Sequence, residues 1–74
     1  MTSEDIGSEL EKRPFVPFRL HLVSGNAVEV PDPGAAWLLQ NAVLVFHARA
    51  RPGQEPRYDM LSLRNIERLE QLGQ

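Results

Sequence analysis

The chain has 74 residues and no cysteine, so disulfides and thiolate zinc sites are impossible. It contains no apolar run long enough to cross a bilayer and no signal-peptide core at its start, which predicts a soluble, cytoplasmic, non-exported protein with no membrane partner. Phosphate-binding loops and dinucleotide fingerprints are missing. Ser24, Ser62 and Tyr58 lack the neighbouring base and orienting acid that a nucleophile needs. The expectation is therefore a protein that is not an enzyme and carries no cofactor. Lysine is nearly absent, with one against seven arginines, and aromatics are sparse at one Trp, one Tyr and three Phe. A domain of this size buries only about 60% of its unfolded surface. Without disulfides or a thiolate metal site, self-association is the natural remaining support.

Net charge is −2, but Glu4, Asp5, Glu9 and Glu11 all lie in the first eleven residues and the remainder is mildly basic. That balance is too weak to argue for nucleic acid on its own. The acidic segment reads as a short helix within residues 1–13. Thr2 is a hydroxyl N-cap at capping-box spacing from Asp5, acids occupy the first turn, and Ile6 and Leu10 share a face. Pro14 ends it.

The remaining residues, 14–72, read as one small β-barrel, giving a single domain over 1–74. Phe18, Leu20 and Leu22 alternate with Arg19, His21 and Val23, and the period of two resumes at Val28 and Val30. A three-residue hairpin loop, Ser24-Gly25-Asn26, keeps one face apolar by pairing Leu22 with Val28 and Leu20 with Val30, and sets His21 opposite Glu29. Pro31-Asp32-Pro33-Gly34 stops the strand. Ala35 to Leu39 admits either a short helical turn or a brief strand. Ala42 to Ala48 is apolar on both faces at its centre, as in a strand buried on both sides. A polar loop follows, and Arg57 to Leu63 forms a further strand. Leu63, Ile66, Leu69 and Leu72 recur every three residues, which suits a helix, but a tight turn plus a closing strand is favoured because open sheet edges need covering. The predicted fold class is mainly β: a short N-terminal helix, then a five-stranded, strongly bent antiparallel sheet or small barrel.

The stretch PFVPFRLHLVSGNAVEVPDP, continuing to LSLRNIERLE, resembles a group of small uncharacterised bacterial proteins that open with a short helix and Pro-Phe-x-Pro-Phe-Arg. That resemblance implies no activity. More distantly, Leu20 to Gly25 is similar to the first strand and turn of the Sm-like fold, and Leu61 to Leu69 to its last two strands. This implies a small Sm-like or SH3-like barrel. In that family the second strand is long, continuous and contains a glycine. Here Val30 stands in its place, and Pro31 and Pro33 end the strand. The positions that would carry the family's RNA-binding polar motif are Ser62, Arg64 and Asn65, and they depart from it in part. A shared fold does not transfer an activity.

Several residues invite a sharper reading. Pro14-x-x-Pro17-x-Arg19 has the form of a proline-helix ligand. However, Phe18 and Arg19 already belong to the first strand, and Phe15 and Phe18 share a face. The stretch is better read as the joint that packs the helix onto the sheet. His21 and His47 are more consistent with cross-strand pairing than with metal binding. Arg49, Arg51 and Arg57 flank one loop and form the candidate anion or nucleic-acid contact. Trp37, with Leu38 and Leu39, is the candidate interface, or else caps the open end of the barrel. The leading expectation is a non-enzymatic interaction module, a homo-oligomer associating through strand edges or a binder of another protein. The alternative is a small RNA-binding barrel using the arginine loop.

Overall fold

The computed structural model describes residues 1–47, 53 and 57–73. Among these residues are one helix, α1 (Ser3–Glu11), and six strands: β1 (Phe18–Leu22), β2 (Ala27–Val30), β3 (Ala36–Leu38), β4 (Ala42–His47), β5 (Arg57–Ser62) and β6 (Ile66–Gln71). They form two three-stranded antiparallel sheets, β2–β1–β6 and β3–β4–β5. The mainly β class with a short leading helix is as predicted. The count of five strands and the closed barrel are not.

The additional strand comes from the Pro31–Gly34 segment. Neither proline can donate to a ladder, so pairing with β1 ends at Val30. The Asp32 carboxylate then accepts from the Gly34 N–H at 2.9 Å, capping a 3-10 turn over Pro33–Ala35. The chain leaves that turn extended and pairs with β4 through Ala36, Trp37 and Leu38. Turn and strand, the two readings of Ala35 to Leu39, occur one after the other. The same break lets the structure settle as two sheets around one core instead of one bent sheet closing on itself.

Helix α1 begins as its sequence dictates. The Asp5 N–H donates to the Thr2 hydroxyl at 3.3 Å, and the Thr2 N–H donates to Asp5 Oδ2 at 3.0 Å. Two otherwise unpaired donors of the first turn are thereby satisfied. The hydrogen bond from the Thr2 backbone, followed by that from its side chain, holds the Asp5 carboxyl below its usual range. Ile6 is completely buried, and Leu10 packs beside the core. Phe15 and Phe18 meet at 6.0 Å in a tilted pair, with Phe18 fully buried. The Pro-Phe-x-Pro-Phe-Arg stretch is therefore a joint between helix and sheet.

The β1–β2 hairpin has a three-residue loop, but it lies one position earlier than predicted. The Leu22 N–H donates to the Asn26 carbonyl at 2.8 Å, leaving Val23, Ser24 and Gly25 as the loop. Gly25 has φ +98°, with open space where a Cβ would stand, and a left-handed glycine as third loop residue is the geometry such hairpins favour. Leu20 consequently opposes Val28 and Phe18 opposes Val30, while Arg19, not His21, faces Glu29. Each strand shifts by one residue in opposite senses, so the apolar face survives. Val23 leaves the strand and is exposed.

The tail forms a 3-10 turn over Leu63–Asn65 and then β6, the favoured of its two readings. Leu22 pairs with Ile66 and His21 with Arg68, so Glu67 is an extra residue, a bulge. This explains the misleading spacing: Ile66 is buried and Leu69 packs on the same core although they are three apart. A bulge resets the strand's alternation by one. At its far end the Leu72 N–H donates to the Pro17 carbonyl at 2.8 Å. An added methyl at Gly73 would come within 2.6 Å of Val16 Cγ1, so the exit of β6 is pressed directly onto the helix–sheet joint.

Candidate interaction face

The core holds Phe18, Leu20 and Val30 from the first sheet and Val43 and Val45 from the second, all essentially without exposure, together with Ile6. Since neighbouring strand residues point to opposite faces, these inward positions fix what lies outside. On the β2–β1–β6 sheet the outward positions are Arg19, His21, Ala27, Glu29, Arg68 and Glu70. On the β3–β4–β5 sheet they are Trp37, Ala42, Leu44, Phe46, Tyr58, Met60 and Ser62, of which none is charged.

The charged face is a cross-strand ladder. Arg19 Nη2 lies 2.7 Å from Glu29 Oε2, and Arg19 Nη1 lies 3.6 Å from Glu70 Oε1. His21 Nε2 is 2.8 Å from the same Glu70 oxygen. The contact with His21, followed by the field of Arg19, lowers the Glu70 carboxyl below its ordinary value. Hydrogen bonding to Glu29 raises the already high value of Arg19. These groups are paired with one another, and among the described residues no cluster of three potential metal ligands occurs. The predicted pairing of His21 with Glu29 is corrected by the hairpin register.

The uncharged face is arranged in rows. Trp37, Leu44 and Met60 sit opposite one another across all three strands, and Phe46 sits opposite Tyr58. Phe46 is edge-on to Trp37 at 5.6 Å and tilted against Tyr58 at 5.8 Å, so its ring links the two rows. Trp37, Tyr58 and Met60 are 62, 54 and 63% exposed, while Leu44 and Phe46 are half-buried. Scaled to whole aromatic side chains, Trp37 and Tyr58 alone present on the order of 100–150 Å² each. Leu39 continues the alternation from Trp37, its N–H donating to the Ala42 carbonyl, and its side chain is also exposed. Leu38 points the other way and packs against the core. The candidate trio is thus split, with Trp37 and Leu39 outside and Leu38 inside.

Strand β4 is covered on its Val43 and Val45 side only; its other side is the face just described, correcting the expectation of burial on both sides. Tyr58, Met60, Leu44 and Phe46 were not singled out by their sequence. In β5 the alternation of Tyr58 and Met60 with Arg57 and Asp59 would place the first pair inward. The register with β4 puts Asp59 opposite Val45 and Tyr58 opposite Phe46, reversing that assignment. The signal that could have found the face is β4 itself, whose apolar residues on both sides require two covers.

Other sites are less organised. Arg57 is exposed at the end of β5, opposite His47, while Arg49 and Arg51 lie outside the described residues. A groove of about 740 Å³ beside the start of α1 touches Ser62 and Arg64, but the Thr2–Asp5 capping box already uses the helix donors there. Asn65 turns its carbonyl to the Val23 N–H at 2.9 Å. A groove of about 310 Å³ runs along β5 between Met60 and Val23, extending the apolar surface around that edge. Among the described residues no helix is long and apolar enough to cross a membrane, and no buried side-chain polar atom is left unpaired. No protein-family model matches this chain, and neither a curated protein nor a solved structure shows significant similarity to it.

Proposed function

We propose that this chain is a non-enzymatic interaction module whose working form is an assembly of its own copies. The observation that carries the reading is the outer side of the β3–β4–β5 sheet, whose outward strand residues are aromatic and aliphatic apart from Ser62 and, among the described residues, carry no charge. A face of that composition has nothing with which to activate a substrate or grip an anion, but it gains free energy when covered by another apolar surface. The small size of the core and the lack of disulfides favour a partner that accompanies every folded chain. The strand order also supports reading the fold as an opened relative of the Sm-like barrel. In that reading β2 and β3 together take the place of its single bent second strand. No activity follows from the likeness.

The test is the mass of the purified chain by light scattering behind size exclusion, together with its absorbance ratio for bound nucleic acid. Twice the 8.4 kDa chain mass or a higher multiple, free of nucleic acid, is expected. A stable monomer at micromolar concentration overturns the proposal.

A further inference from the structure

We infer that the second copy docks face to face on the outer side of the β3–β4–β5 sheet, about a two-fold axis, and not through the strand edges. The inference rests on the self-association reading and specifies its geometry.

Three observations carry it. The first is charge. The opposite sheet presents Arg19, Glu29, Arg68 and Glu70 outward, and these repel burial because a desolvated charge is costly. The β3–β4–β5 face has no such obstacle, and its best match in polarity is a surface as uncharged as itself. The second is area. With Trp37 62% and Tyr58 54% exposed, the face presents on the order of 400–500 Å² once Met60, Leu44 and Phe46 are included. Two such faces remove roughly 800–1,000 Å² from water, at the lower edge of what specific association needs. The third is shape. Sheets stack face to face about 10 Å apart with interdigitated side chains. An axis running along β4 past Leu44 would lay Trp37 of each copy over Met60 of the other, an aromatic–sulfur contact made twice. Edge pairing would leave this whole face in water.

The chain has one tryptophan, and this docking covers it, so association reports on itself. Diluting the wild-type chain through the range where its scattering mass halves should shift Trp37 emission to the red in step with the mass. Met60→Lys should convert the pair to a folded monomer, by circular dichroism, with red-shifted emission at all concentrations. Ala27→Lys, on the charged sheet, should leave the mass unchanged. A wild-type oligomer whose mass survives Met60→Lys, or whose emission stays constant while its mass halves, overturns face-to-face docking and leaves self-association standing. A wild-type monomer removes both. The dilution experiment decides the matter even where the lysine variant fails to fold.

Discussion

The β2–β1–β6 sheet and the β3–β4–β5 sheet send similar side chains to a shared core: Phe18, Leu20 and Val30 from one, Ala36, Val43 and Val45 from the other. Outside they diverge. The first sheet carries an ionic ladder joining Arg19, Glu29, Glu70 and His21, whereas the second carries Trp37, Phe46, Tyr58 and Met60. Burial in the core constrains only alternate positions of a strand. The solvent-side positions are free to answer a different demand, and in this molecule the two sheets answer different ones. The comparison teaches that an outer face is the place to look for function when the interior gives no chemistry.

The largest effects should come from the feature the sheets share. Phe18→Ala removes a fully buried ring and should cost about 3–5 kcal/mol. Val45→Ala on the facing sheet removes less and should cost about 2 kcal/mol. Urea unfolding of both variants checks this. A Val45→Ala variant as stable as the wild type would mean that the second sheet is not packed like the first.

The next effect belongs to the first sheet alone. Gly25→Ala forces a side chain into a left-handed turn at φ +98° and should cost about 1–2 kcal/mol. The thermal midpoint measures it. An unchanged midpoint would show that the hairpin can close by another loop, with its register and charged ladder altered.

The smallest effect separates the two outer faces by pH. Glu70 is held below its ordinary value chiefly by His21, so its contribution is complete above the unfolded Glu value of about 4.3. It fades as pH falls through the lowered folded value, because protonation then breaks the contact. The midpoint difference between wild type and Glu70→Gln should therefore be present near neutral pH and vanish in acid. It should also shrink with added salt, as exposed ion pairs do. A difference that persists through the acid range would assign the effect of Glu70 to packing instead of charge.

How far the chain could be read follows from which residues speak for themselves. The capping box of Thr2 and Asp5, the proline stops and the alternation from Phe18 to Leu22 are local signals, and each produced the element it predicted. The hairpin register needs one further fact, that Gly25 takes the left-handed position; alternation alone sets His21 opposite Glu29, whereas the loop sets Arg19 there. The break at Pro31 was plain, but its result, an independent β3, depended on β4 offering an edge beyond the corner. Least legible was the interaction face. The pattern of β4 is apolar in both directions, which calls for two covers, but that of β5 points the wrong way, so the pairing of Leu44 with Met60 and Phe46 with Tyr58 is needed to define it.

The bulge at Glu67 gives the closing strand an unusual tolerance. Most single-residue deletions in a strand throw every following side chain onto the opposite face. Here β6 has one residue more than β1 has places for, since Leu22 and His21 are consecutive while their partners Ile66 and Arg68 are not. Excising Glu67 would leave Ile66 and Leu69 on the core side and Arg68 and Glu70 on the charged face. The domain thus contains a spare position at which chain length can change while the assignment of faces stays the same.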